Sequence, residues 1–358
     1  MHSLITLLAV LLLVLMPTPP TSPGFQPEPV APLAIAYGAD GRTALYLLDL
    51  AADEAPRLLA DCADACLHLR WSVDGAGLAY SDGDDLVTLD VGAEAVRETA
   101  RVPIDRGTYP YNVAPQWTAD LTRAVYAARV DMAQALFITD MATGETRRLD
   151  APPGADDPRW AGDDRIAVAL GGALALLDDS GAVIASYPAQ TAYDVPRPGP
   201  DGEYLAARTR TDEPGGYSIG VLDLNFAAND TGIFTPLYTG VVEAPVWSPV
   251  GDRLAVLDWG ATASEPAVLV VIPVESRTPP RIVAENPLRR LVPAWSPDGD
   301  WLAYVGWVDP AQLGPQVPSG VFVVPADGSA PTRMIAGPIG EGSRFIASPA
   351  WRPQPDGS

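Results

Sequence analysis

Trp295-Ser296-Pro297-Asp298-Gly299, followed by Leu302-Ala303-Tyr304, decides the fold because it recurs along the chain. Trp71-Ser72-Val73-Asp74-Gly75 precedes Leu78-Ala79-Tyr80, and Trp247-Ser248-Pro249-Val250-Gly251 precedes Leu254-Ala255-Val256. Looser copies start at Trp117 and Trp160, before Ala124-Val125-Tyr126 and Ile166-Ala167-Val168. A degenerate copy has Pro198 in place of Trp, and a last one, Trp351-Arg352-Pro353, stands near the C-terminus. Successive Trp-equivalent positions are 46, 43, 38, 49, 48 and 56 residues apart.

Each unit carries further short β-rich runs. Leu86-Val87-Thr88-Leu89-Asp90, Leu136-Phe137-Ile138-Thr139-Asp140 and Val321-Phe322-Val323-Val324 read as third strands, with Arg147-Arg148-Leu149 and Arg333-Met334-Ile335 as fourth strands. Four short strands in each unit of about 40–50 residues is the pattern of a propeller blade. The ends predict closure. Leu33-Ala34-Ile35-Ala36-Tyr37 reads as a second strand lacking a first, and Pro349-Ala350-Trp351 as a first strand lacking the rest. Together they make one blade, so the expectation is an all-β, seven-bladed propeller over residues 33–358, closed by pairing of its N- and C-terminal strands. Six blades is the alternative, because the Pro198 unit is weak. In each motif the Trp supplies an apolar wedge between blades. Pro fixes φ, Asp bonds nearby backbone and Gly accepts a positive φ. Asp49, Asp90, Asp140, Asp178 and Asp223 read as turn residues after the third strands.

The Trp-Ser-Pro-Asp-Gly…Leu-Ala-Tyr signature resembles the WD40-like repeat of TolB-type propellers, over nearly all of residues 33–357. That family resemblance implies a propeller scaffold of bacterial envelope proteins and of prolyl-oligopeptidase-like peptidases. It speaks to fold far more than to function. No α/β domain is recognised ahead of the repeats, so a Tol–Pal role is not implied, and TolB propellers are usually six-bladed.

Charge narrows the partners. The 358 residues carry a formal net charge of −22, and all 23 basic residues are arginine. Such a chain repels nucleic acid and anionic membrane surfaces. Its 47% hydrophobic content supports a large core. Residues 1–22 read as a signal peptide or N-terminal anchor, because Leu4–Met16 is an apolar run of signal-core length. It lacks a basic start and a clear cleavage site, and cleaved and anchored forms both stay open. Residues 23–32 form a Pro-rich linker. The expectation is therefore an exported protein: periplasmic, cell-surface or extracellular. Cys62 and Cys66 then read as a disulfide. A metal site with His68 lacks a fourth ligand.

Tests for chemistry find little. Gly216-Tyr217-Ser218-Ile219-Gly220 matches a nucleophile elbow, but no His follows it. His2 and His68 are the only histidines. Ser81-Asp82-Gly83-Asp84-Asp85 suggests a Ca²⁺ loop but lacks the spacing, and a β-turn suits it better. No cofactor or metal is expected, and a non-enzymatic role is favoured.

Binding residues gather on propeller loops. The connections from fourth to first strands and from second to third strands share one face. There Tyr109, Tyr111, Asn112, Tyr193, Asp194, Arg289, Arg290, Trp307 and Arg344 are candidates, being types enriched at binding hot spots. The favoured role is a monomeric module that binds a protein or peptide. The alternatives are a carbohydrate- or small-ligand-binding propeller, including a carboxylate-based glycan enzyme, and a purely structural domain.

Overall fold

The computed structural model describes residues 31–39, 42–51, 55–104, 114–131, 133–187, 193–213, 215–224, 234–260, 265–275, 278–288, 291–308, 319–337, 344–345 and 347–354. The signal-like segment and nearly all of the Pro-rich linker lie outside these residues. So do Tyr109, Tyr111, Asn112, Arg289 and Arg290.

Among the described residues the secondary structure is antiparallel sheet without helix, arranged as seven blades. Blade 1 is made of Cys66–Trp71, Gly77–Asp82, Asp85–Val91 and Val96–Pro103, each strand paired to the next. Blades 2 to 6 repeat that order, starting at Gln116–Trp117, Ala155–Trp160, Tyr193–Pro198, Val246–Trp247 and Ala294–Trp295. The Pro198 unit is thus a full blade, and the count is seven. Blade 7 joins the two ends of the chain: Leu33 pairs with Trp351, Ala34 with Ala350, and Gly38 with Arg344.

Side chains explain why the sheets stand face to face. Along a strand, alternate residues point to opposite faces, and here both faces are covered by neighbouring blades. In blade 1, Leu78 and Tyr80 pack towards blade 7, while Ala79 packs towards blade 2. The core accordingly divides into seven apolar clusters, one at each seam between adjacent blades, the seam between blades 7 and 1 included. The second and third strands are therefore nearly continuous in apolar residues.

The repeated turn closes by side-chain hydrogen bonds. Buried Ser296 donates from Oγ to Asp298 and accepts the Trp301 N–H at 2.9 Å, while Asp298 accepts the Asp300 N–H at 3.0 Å. Gly299 sits at φ 77. Ser72 and Thr118 repeat the scheme, and at Ser248 the carboxylate of Asp252 stands in. Asp140 and Asp178 accept backbone N–H groups of the turns that follow them, as the sequence predicts.

The Trp does more than wedge. Its indole N–H donates to the carbonyl of the residue just before the Trp position of the preceding blade. Trp71 reaches Ala350, Trp160 Gln116, Trp247 Arg197, Trp295 Val246 and Trp351 Ala294, at 2.7–3.1 Å. First strands of adjacent blades are thereby linked in a ring, which makes them the innermost strands. Two links are missing. Pro198 has no donor, and the buried Trp117 Nε1 has no partner among the described residues. Trp295→Phe should therefore cost about 1–2 kcal/mol, because it orphans a carbonyl, while Trp117→Phe should cost clearly less. Urea unfolding of the two variants measures the difference, and equal losses would refute the linkage.

Candidate functional site

Two faces of the ring differ. On one, the turns between first and second strands are short and self-closed. Arginines seal this face: Arg253 and Arg352 donate to carbonyls of Gly299 and Gly75 in the next blade's turn and cover Trp295 and Trp71 at 5.2 Å. On the other face, connections vary widely, from residues 83–84 to 308–318 and 104–115. Tyr193, Asp194, Trp307 and Arg344, the sequence candidates among the described residues, stand at or next to strand ends that border this face.

The described candidates separate. Tyr193 is not on a loop. It begins the innermost strand of blade 4, is buried, and packs on Phe234 with ring centroids 5.2 Å apart. Its ring is core. Asp194 follows it and forms a two-pronged ion pair with Arg208 at 2.8 and 2.9 Å. Arg208 also donates to the Val242 carbonyl at 2.9 Å and lies 4.0 Å over the Tyr217 ring. Burial pulls the Arg208 pKa down, but the bonded Asp194 outweighs it and the net shift is upward. Trp307 closes the second strand of blade 6, half-buried, at the foot of residues 308–318. Arg344 pairs with Gly38 in blade 7. The structure brings Asp194 together with Arg208 and Tyr217, not with Trp307.

Cys62 and Cys66 are disulfide-bonded, with Cα atoms 5.7 Å apart across the tight loop that leads from blade 7 into blade 1. His68 does not join them. Its Nδ1 lies 2.9 Å from Ser81 Oγ. Ser218 belongs to the third strand of blade 4, buried, with Oγ donating to the Tyr238 carbonyl. Asp82–Asp85 is a hairpin turn, as expected. Among the described residues no group of three His, Cys, Asp or Glu is placed to hold a metal.

A second set of residues escapes reading by motif. The position just before each Trp, or before Pro198, holds Arg70, Gln116, Arg159, Arg197, Val246, Ala294 and Ala350 in blades 1 to 7. The register makes these positions equivalent. Arg70, Arg159, Arg197, Val246, Ala294 and Ala350 each pair with an alanine of the second strand, and Gln116 pairs with Val125. Pro precedes the position in six blades: Pro115, Pro158, Pro196, Pro245, Pro293 and Pro349. That Pro-x-Trp spacing was the available signal. All seven are at least partly exposed although they lie on the innermost strands, so they line the central channel.

Charge in this ring is one-sided. Arg159 and Arg197 share the Asp157 carboxylate at 2.5 and 2.9 Å. Burial alone would raise Asp157, but Arg197 and Arg159 hold it below its ordinary value. Burial, with Arg197 alongside, lowers Arg159 to about 9. Arg70 has no hydrogen-bond or ion-pair partner among the described residues, and surrounding protein lowers its pKa. The arginine blades also differ in backbone. Their innermost strands run six residues and carry a register shift ending at Arg70, Arg159 or Arg197. His68, Asp157 and Val195, two residues before each arginine, stand at φ 58, 49 and 47. Such a conformation is unfavourable for any side chain, most of all for β-branched Val195.

These features define a seven-bladed β-propeller. No protein-family model matches the chain, and no curated protein matches it either. Solved structures do. TolB from Acinetobacter baumannii superimposes with a TM-score of 0.56 at 16% identity, covering 93% of this chain and 69% of that one. An oligogalacturonate lyase in complex with manganese gives 0.61 at 16% identity, covering 82% of this chain and 86% of that one. The oligogalacturonate lyase of Vibrio parahaemolyticus gives 0.62 at 13%, with the same coverage. At these identities the likeness is one of fold.

Proposed function

We propose that this chain is an exported, non-enzymatic propeller that binds a protein or peptide on its variable face. The observation that carries the reading is the contrast between faces. The repeated motif spends its polar groups closing one face, whereas the other varies its connections over the same rigid ring. Rigid scaffolds that vary their loops on one side are built for recognition. The fold shared with TolB supports export and envelope partners. The test is a tagged chain, exported in its native host and crosslinked in intact cells, with Tyr111→Ala, Trp307→Ala and Arg344→Ala variants alongside. One reproducible partner, lost in these variants, is the expected result. Capture that survives all three would place recognition elsewhere.

The fold shared with oligogalacturonate lyases supports a second reading, binding of a carbohydrate. Calorimetric titration with oligosaccharides separates the two. Heat on adding an oligogalacturonate, with no crosslinked protein partner, would favour the sugar.

A further inference from the structure

We propose that Arg70, Gln116, Arg159 and Arg197 form a carboxylate-binding crescent in the central channel, which takes the carboxylate of an extended peptide tail. This rests on the peptide-binding reading above and names the group recognised.

Position comes first. The four residues occupy one level of the ring in four consecutive blades. With 23 arginines in 358 residues, seven positions taken at random would hold fewer than one. Here they hold three, inside a protein of net charge −22.

Backbone is the second ground. The three arginines are also the residues at which the register shifts occur. A bulge re-aims the side chains beside it, and bulges gather next to functional sites. In the blades whose ring residue is Gln116, Val246, Ala294 or Ala350, the strand containing it runs only two residues. The strained backbone therefore accompanies the arginines specifically, as strain kept for function does.

The third ground is an existing carboxylate. Asp157 already lies between Arg159 and Arg197, which shows that two ring guanidiniums can grip one carboxylate. Asp156 adds negative charge near Arg159, and Asp194 is occupied with Arg208. Arg70 has no partner among the described residues. It is the open end of the crescent.

Shape selects the ligand. Opposite the polar side of the ring stand Val246, Ala294 and Ala350, small and apolar. A ligand with one carboxylate beside aliphatic groups matches both sides. A polyuronate, charged at every residue, would leave the apolar side unused and meet repulsion from 45 acidic residues. From Tyr193 at the variable face to Arg197 the strand takes four steps, about 13 Å. A tail of four or five extended residues therefore reaches the crescent from a partner seated on that face.

The experiment uses the mature chain and fluorescein-labelled hexapeptides of alternating alanine and valine, ending in a free carboxylate or in an amide. Fluorescence anisotropy should show binding of the carboxylate form and about tenfold or greater weakening for the amide. Arg70→Gln should give a similar loss with unchanged melting temperature, since the Arg70 side chain holds no other residue among those described. Arg70→Lys should restore much of the affinity. Arg97→Gln, on an outer strand, should change nothing. Equal binding of carboxylate and amide, no binding of either, or indifference to Arg70→Gln would each overturn the proposal. So would stronger binding of an oligogalacturonate than of any peptide. Partner capture lost in Trp307→Ala but kept in Arg70→Gln would sink the crescent alone. Peptide binding that needs Arg70, with capture indifferent to the variable face, would sink only the broader reading.

Discussion

In urea, Gly75→Ala should lose about 3 kcal/mol of stability and Gly299→Ala about 1 kcal/mol, although both fill the same motif position. Both glycines have positive φ, 67 and 77, where an alanine costs about 1 kcal/mol or somewhat more. The difference lies in what the new methyl would meet. At Gly299 the nearest atom is Nη2 of Arg253 at 3.4 Å, the far end of a flexible side chain. At Gly75 the methyl would run into the backbone carbonyl of Pro353, which cannot move aside alone. Pro353 belongs to the segment that closes the ring. Arg352 donates to Gly75 and Val91 at 2.7 and 2.9 Å, its N–H reaches Pro32, and Trp71 bonds Ala350. Displacing Pro353 therefore loosens the seam that joins the chain's two ends. Equal losses in the two variants would mean that the seam yields freely.

The fold was legible because a blade is a short, repeated statement. Trp, the Asp-Gly turn and Leu-Ala-Tyr each have a local cause, and their spacing gave the blade count, including the split blade between Leu33 and Trp351. Pro198 was the doubtful unit. The structure shows why it still forms a blade: Gly199–Tyr204 keeps the turn's hydrogen bonds, and Leu205 and Ala207 keep the seam. What the blade loses is one donated indole bond. Such a bond spans about fifty residues of sequence, so no local pattern announces it.

The site was less legible, and particular residues show the cause. Tyr193 reads as a loop aromatic because it follows Thr191-Ala192, yet the strand begins with it and its ring enters a seam. Asp194 is legible as a polar candidate, but its partners Arg208 and Tyr217 belong to other strands, so only the sheet register assembles them. The ring arginines were hidden by their neighbour. The motif starts at Trp71 and Trp160, one residue after Arg70 and Arg159. Comparing that preceding position across all repeats exposes the uneven ring, and the positive φ at His68, Asp157 and Val195 then becomes visible in the structure alone.

Asp82→Asn should cost about 3 kcal/mol near neutral pH, and the cost should shrink as the solution is acidified. The Asp82 side chain is fully buried, 0% exposed, against the disulfide loop. Its two oxygens accept the N–H groups of Ala63 and Asp64 at 3.0 and 2.9 Å, and Arg101 donates to it at 3.1 Å. All three of these partners are donors. An asparagine would keep the shape but turn its own NH₂ towards one of them, leaving that donor unpaired. Burial pushes the Asp82 carboxyl up, but the two N–H groups and Arg101 outweigh it, and its pKa lies below the ordinary value. The sign of the pH dependence follows. A carboxyl whose pKa is lower in the folded state stabilises fully above its unfolded pKa, about 3.9, and loses that contribution as pH falls through the folded value. The gap between wild type and Asp82→Asn, read as the difference in unfolding free energy, should therefore be flat from pH 8 to about 5 and narrow below it. Arg101 carries part of the load, since it also binds Asp85 and Glu98. Arg101→Gln should therefore reproduce some of the loss but less of its pH dependence, because the two backbone donors remain on Asp82. A gap that widens in acid would mean that Asp82 is protonated in the folded protein, and that the loop hangs on the disulfide instead.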